Sequence, residues 1–385
     1  MKTYEYHYII IGAGLAGMSL VTRMLKHSFF QNKKILILSK PTEQADNKTW
    51  CFWEEGKGFF DELLHHQWHQ LTFTSTEFSK TESIQPFAYK MIKSEDFFAY
   101  TTAKATAAKQ VDIVYDHVNT IDADAGMVTT KSSLYTASDY IFSSIRSQPW
   151  QAQLPTDNYL LLQHFKGWFI ETEKPVFDAS VATMMDFSVS QQHGTTFMYC
   201  LPTASNKALV EYTLFTKEVL PADAYEQALS EYIGKANFGK YTITQKEFGI
   251  IPMTNYIFPK QERKLVYIGT AGGATKASTG YTFYFVQKES ERIINQLITG
   301  NSLHLTRTFL DKKYRLFDST LLGILDKKNH LGASIFESLF QRNSIKTLLK
   351  FLNNDSTFIQ DIGIMNSVDK SLFIPSAVRH INTFK

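Results

Sequence analysis

Two short stretches hold residues that could do chemistry. In ALVEYTLFT (208–216) a single carboxylate, Glu211, interrupts an apolar strand pattern. Alternation sends Val210, Tyr212 and Leu214 to one face and Leu209, Glu211, Thr213 and Phe215 to the other, and both faces are largely apolar. A carboxyl group among apolar neighbours resists ionisation and keeps its proton where a free glutamic acid, with a pKa of about 4.3, has lost it. That is the property of a general acid. The bland alternative is a glutamate that reaches solvent or pairs with a lysine such as Lys207. The second stretch is IIIGAGLAG (9–17), which keeps the G-x-G-x-x-G spacing between a predicted strand and a predicted helix. There Gly12 permits the tight turn, Gly14 lets a pyrophosphate approach the backbone and Gly17 lets helix and strand pack closely. Ala13, Leu15 and Ala16 complete the loop and first turn, whose free N–H groups attract phosphate.

A second glycine cluster, YIGTAGGATKASTGYTF (267–283), also follows a strand and precedes a helix. Gly269, Thr270, Gly272, Gly273 and Thr275 are expected to bring backbone N–H groups to the far end of the same cofactor, and two such turns favour an extended FAD. The acidic residue that usually holds the ribose about 20 residues beyond the glycines is absent. Ser39 and Lys40 stand there, with Glu43 in the following loop. Either Glu43 substitutes, or Ser39 and Lys40 favour a 2′-phosphate and thus NADP(H).

These residues need a scaffold. Strands are expected at 5–11, 33–39, 111–116 and 139–144, and helices after the first glycine turn and over 93–109 with Ser94 as N-cap. Residues 46–58, with two tryptophans, read as a loop, and 67–75 and 84–90 as strands of a second sheet. From 159 to 253 the β-branched and aromatic texture predicts an antiparallel sheet with one helix near 221–234. The last 80 residues look helical. The expected fold is α/β: an FAD-binding Rossmann-like domain of the glutathione-reductase and hydroxylase type, an antiparallel substrate sheet and a C-terminal helical region. The expected boundaries are 1–66 with 91–158 and 254–300, then 67–90 with 159–253, then 301–385.

A net charge of +3 gives no reason to expect nucleic acid. Two cysteines, Cys51 and Cys200, make neither a disulfide framework nor a zinc site, which suits a reducing cytoplasm. His65, His66 and His69 lack acidic or thiol companions, so no metal is expected. No apolar run reaches the roughly 18 residues of a spanning helix.

The chain resembles the flavoprotein-type lycopene β-cyclases. The resemblance rests on IIIGAGLAG, DNKTWCFWEE, YKMIKSEDFF, LLQHFKGWFIETEKPVFDASVATMMDF, FMYCLPTASNKALVEYTLF, GIIPMTNYIFPK and GTAGGATKASTGYTF, with RLFDSTLL beyond them. It implies conversion of lycopene ends to β-ionone rings with reduced FAD and no net redox change, with NAD(P)H as a possible reductant. By the same resemblance Glu211 is the proton donor. The sequence departs from the family pattern at Ser39 and at IFSS (141–144), where FDS is common; Thr270 stands where wider flavoprotein relatives carry Asp, although cyclases themselves often read GTAGG. Trp50, Phe52, Trp53, Tyr199, Tyr212, Tyr281 and Phe283 are candidates to line a dry, π-rich substrate site. A hydrocarbon substrate implies contact with the inner face of the cell membrane. The amphipathic stretch 334–353 is expected either to lie at that interface or to pack on the core. The competing readings are a flavin monooxygenase or prenyl reductase, which would consume nicotinamide, and a carotenoid-binding protein without catalysis.

Overall fold

The N-terminal run KTYEYHYIII forms the strand Lys2–Ile11, whose last four residues are buried. It lies between two parallel partners, Ser133–Ser143 and Ile35–Ser39. Val111–Tyr115 extends the sheet on one side and Leu265–Tyr267 on the other, both in parallel. Burial on both faces explains why these strands read as continuous apolar runs. On one face Ile10 and Ile37 pack with Leu20, Phe97, Phe283 and Ile293, from the helices Leu15–Leu25, Ser94–Ala107 and Phe283–Ile298. On the other, Ile9 and Leu36 pack with Val128 of an antiparallel hairpin. This parallel sheet with helices on one face is the Rossmann-like part of the fold. The computed structural model describes residues 2–40, 48–146, 149–300, 302–305 and 308–381.

The second sheet has seven strands, in the order Tyr241–Thr254, Leu160–Thr172, Lys207–Thr216, Thr195–Ala204, Val181–Asp186, Gln70–Thr74 and Ser79–Ser83. All neighbours are antiparallel except Val181–Asp186 and Gln70–Thr74, which run parallel. Its outer face packs Trp168, Val210, Tyr212 and Leu214 against Tyr225, Leu229 and Ile233 of the helix Ala222–Lys235. Its inner face packs Phe73, Phe187, Phe197 and Phe215 with Phe336 and Phe340.

Several expectations need correction. The tryptophan segment is no loop: Thr49–Glu55 is a strand paired with Phe87–Lys93, because its aromatic residues suit a half-buried pleat better than solvent. Asp46 and Asn47 lie outside the described residues. The expected strand 67–75 divides at His69. Its first part, His66–Trp68, joins Phe87–Lys93 in a small three-stranded sheet, and its second joins the large one. Ser94 does not cap its helix; its hydroxyl accepts a bond from the Lys48 N–H at 2.8 Å. The stretch 334–353 is two helices, Gly332–Arg342 and Ile345–Leu352, separated at Ser344, which caps the second. Of the two placements weighed for it, core packing holds: Phe336, Phe340, Ile345, Leu348 and Leu349 are buried, and Leu339 and Phe351 pack against them.

Candidate active site

Glu211 sits mid-strand in the large sheet, on the inner face. The alternation is as expected: Leu209 and Phe215 join the inner cluster, and Val210, Tyr212 and Leu214 the outer one. Cross-strand neighbours of Glu211 are Tyr199 on one side and Gly167 on the other. Gly167 is also the neighbour of Glu247, one strand further on. Two glutamates therefore flank a residue without a side chain. A Cβ on Gly167 would stand 2.9 Å from Leu209 Cδ1 and 3.0 Å from Glu247 Cγ, too close to keep this packing. The absence of a side chain there leaves the space over the strand to the two carboxyl groups.

The Thr213 hydroxyl donates to Glu211 Oε1 at 2.8 Å. Lys207 does not pair with Glu211; it lies 3.5 Å from Glu171. Glu211 is half-buried, and it faces a cavity of about 520 Å³. Glu247 is only 4% exposed and lines the same cavity. Neither of its carboxylate oxygens completes a hydrogen bond, although it faces Thr49 and Glu211. Burial pushes the Glu211 carboxyl well above the usual carboxylate range and the neighbouring Glu247 raises it further, while the Thr213 hydroxyl opposes. Burial also raises Glu247, against the pull of Thr49 and Glu211. Two acids this close cannot both ionise readily, so the pair favours holding one proton between them.

The cavity gathers most of the aromatic candidates. Trp50, Tyr199, Tyr281 and Phe283 line it, joined by Tyr89, Phe98 and Phe165. Tyr281 shares hydrogen-bond distance with the hydroxyls of Tyr199 (3.2 Å) and Tyr89 (3.3 Å), so the three phenols satisfy one another. Three expected lining residues lie elsewhere. Tyr212 points to the opposite face and packs on Tyr225, as the strand period demands. Phe52 stacks on Phe283 at 4.3 Å, behind the cavity wall. Trp53 packs edge-on against Tyr281 at 4.5 Å and donates its indole N–H to the Leu349 carbonyl, so it supports the wall from outside.

The first glycine turn opens onto the same space. Gly14, Leu15 and Ala16 line the cavity. A Cβ on Gly12, whose φ is +99°, would lie 2.1 Å from Ser144 Oγ, and one on Gly17 would lie 2.1 Å from the Gly12 carbonyl oxygen. Around Gly14 nothing lies within 4 Å of such an atom. Gly14 also begins the helix Leu15–Leu25, which no side chain caps. An uncapped helix N-terminus beside open space, held by two sterically required glycines, fits a dinucleotide pyrophosphate. Ala13 sits within this turn, packed against the adjacent apolar cluster.

The late turn differs from expectation. Gly269 and Thr270 line the cavity, but the Gly269 N–H donates to Glu289 at 2.8 Å. The N–H groups of Gly272 and Gly273 bond to the carbonyls of Ile268 and Thr270. Gly272, Gly273 and Thr275 line a separate cavity of about 210 Å³. These amides are taken by Glu289 of the following helix and by carbonyls at the turn, so the turn can offer a ligand close approach but not those donors. Ser39 ends its strand with its hydroxyl 3.2 Å from the Lys40 carbonyl, and neither residue lines the main cavity. Glu43 lies outside the described residues. His66 and His69 approach the carbonyls of Ala179 and Phe87. Cys51 lines the main cavity and Cys200 is buried in the outer cluster.

The family model described as lycopene cyclase protein matches residues 8–375. The chain belongs to the lycopene cyclase family. Membership makes it a carotenoid-cyclising enzyme. A lycopene β-cyclase from Pantoea ananas is 24% identical over 314 residues, 78% of this chain and 77% of that protein. Among solved structures, the flavin-dependent brominase Bmp2 has a TM-score of 0.58 at 12% identity, covering 99% of this chain and all of that one. A geranylgeranyl bacteriochlorophyll reductase-like protein from Thermoplasma acidophilum has a TM-score of 0.55 at 12% identity, with both chains covered fully. At these identities the structural likeness concerns the fold.

Sequence reading missed three residues of this site: Glu247, Gly167 and Tyr89. Glu247 carried the signal that marked Glu211, a lone acid in a strand, but its neighbours Gln245 and Lys246 disguised it as part of a solvated run. Gly167 could be paired with both acids only once strand register was known.

Proposed function

We propose that this chain is a lycopene β-cyclase that turns linear lycopene ends into β-ionone rings, giving γ-carotene and β-carotene without net oxidation or reduction. The observation that supports it best is Glu211: a carboxyl group that burial pushes well above the usual carboxylate range, facing the cavity that the first glycine turn also lines. Glu211 gives its proton to a terminal double bond. The neighbouring double bond closes on the cation, and loss of a proton sets the ring alkene. Trp50, Tyr199, Tyr281 and Phe283 exclude water and turn aromatic faces toward the developing charge.

The loop Gly12–Gly17 and the approach at Gly269 and Thr270 would hold FAD. Bound in its reduced form, with NAD(P)H as reductant, that group would supply negative charge near a developing cation. Classification as an isomerase follows from the balanced reaction. A monooxygenase or reductase on this fold would consume nicotinamide with each turnover, and a carrier would leave the polyene unchanged.

The substrate also places the protein at a membrane surface, on the cytoplasmic side. No described helix is long and apolar enough to cross a membrane. Support for surface contact comes from the helices Phe358–Asn366 and Lys370–His380, where Phe358 (74%), Ile359 (81%), Ile374 and Val378 are exposed beside Lys370 and Arg379. Expression in lycopene-accumulating bacteria, followed by pigment analysis, tests the function. Cyclic carotenes are expected; unchanged lycopene would overturn the reading.

A further inference from the structure

We propose that Glu247 is a second catalytic residue: its carboxylate takes the proton that leaves the ring cation and returns it to Glu211. This rests on the cyclase reading above. Four observations carry it. Glu247 lines the cavity, it is 4% exposed, neither of its oxygens has a hydrogen-bond partner, and it shares the cross-strand neighbour Gly167 with Glu211. Strands two places apart in a sheet are about 9–10 Å apart, a gap that two glutamate side chains can bridge when the residue between them is glycine.

A structural role does not account for such a group. Buried carboxyl groups are normally paired or hydrogen-bonded, and leaving one without such a partner is costly. The charged and titratable groups around it do not remove that cost. Lys246, next in sequence, points to the other face and pairs with Glu226 at 3.0 Å. Lys93 lies over the Phe169 ring and 3.9 Å from Glu95, and exerts only a weak pull on Glu247. Cys51 and Lys48 also border the cavity. Glu211 remains the acidic group that Glu247 faces.

The steps balance. The O–H bond of Glu211 breaks as a C–H bond forms at the terminal alkene carbon. An alkene electron pair forms the ring C–C bond. A ring C–H bond then breaks, its electrons become the ring double bond, and Glu247 binds the proton. Passage of that proton to the Glu211 carboxylate restores the starting state. One proton enters and one leaves, so no oxidant or reductant is consumed. The position of Glu247 relative to the ring cation would also select which carbon is deprotonated, and so which ring isomer forms.

The test compares wild-type, Glu211→Gln, Glu247→Gln and Glu247→Asp flavin-loaded proteins on lycopene in liposomes under reducing conditions, across a pH series. Glu247→Gln is expected to lower kcat about 100-fold or more with KM and flavin absorbance unchanged, and to lose the acidic limb of the pH profile. Its residual products should contain a smaller share of β rings, and Glu247→Asp should recover part of the rate. Wild-type turnover by Glu247→Gln overturns the proposal. So does an equal loss at every pH that Glu247→Asp does not relieve, because that is a packing defect. Cyclisation by Glu211→Gln would instead refute the donor assignment, and a wild-type protein inert toward lycopene would refute the cyclase reading and this one with it.

Discussion

Lys90 and Glu247 are almost equally buried, at 1% and 4% exposure, yet their surroundings are opposites. The Lys90 ammonium donates to Asp61 at 2.7 Å, Glu54 at 3.0 Å and the Gly56 carbonyl at 3.0 Å. Lys276, also buried, sits 2.7 Å from both Asp318 and Asn354. Each of these cations meets at least one carboxylate, and they knit the small sheet to its loop and the late glycine turn to the C-terminal helices. The two glutamates have a hydroxyl, a cavity and each other, with no cation within ion-pair distance among the described residues. Where burial serves architecture, this fold neutralises charge with a partner. Where it faces the cavity, it neutralises charge by holding a proton.

The strongest way to break that contrast is Glu211→Gln, which keeps shape and removes the transferable proton. Cyclised product should fall about 10²–10⁴-fold while bound flavin absorbance persists, read by chromatography of pigments and by visible spectra. Next is Lys90→Met, which strands Glu54 and Asp61. Removing one member of a buried ion network should cost about 3–5 kcal/mol, measured by urea unfolding. Glu247→Gln, by contrast, should not reduce stability.

The pH dependence of stability sharpens the comparison further. Both glutamates have folded pKa values raised above the unfolded value of about 4.3, so the folded state binds more protons as pH climbs past that value. Their contribution to stability is therefore present at low pH and is lost as pH rises through the folded values. The Glu211→Gln, Glu247→Gln double variant should show a flatter alkaline decline in Tm than wild type. Smaller effects are expected outside the site. Serine at Phe358 and Ile359 should weaken flotation with liposomes while leaving turnover of detergent-dispersed lycopene intact. Lys207→Ala, which removes only an exposed ion pair, should change stability by no more than about 0.5 kcal/mol and leave turnover unchanged.

The features legible in sequence were those written in local pattern. The first glycine turn, the buried parallel strands and the direction of Glu211 all follow from periods and turn chemistry that neighbouring residues announce. What stayed hidden depends on register and on long-range competition. Tyr212 has the right chemistry for a lining residue and the wrong parity for one. The amides of Gly269, Gly272 and Gly273 look available until Glu289 and the carbonyls of their own turn take them. Thr49–Glu55 read as a loop because the strand it pairs with begins more than 30 residues later. Glu247 became visible only when a glycine on the strand between placed it beside Glu211.

The bond from the Trp53 indole to the Leu349 carbonyl joins residues 296 positions apart, and Asn353 reaches the Trp53 carbonyl from the same helix end. Trp53 in turn braces Tyr281. The helix Ile345–Leu352 is thus a keystone for a wall begun at Trp53. A chain halted before residue 349 would carry both glutamates and the glycine turn but an unbraced chamber, so competence for catalysis should arrive only once this helix has been made, and truncation before it should be read as falling activity ahead of any loss of the nucleotide fold.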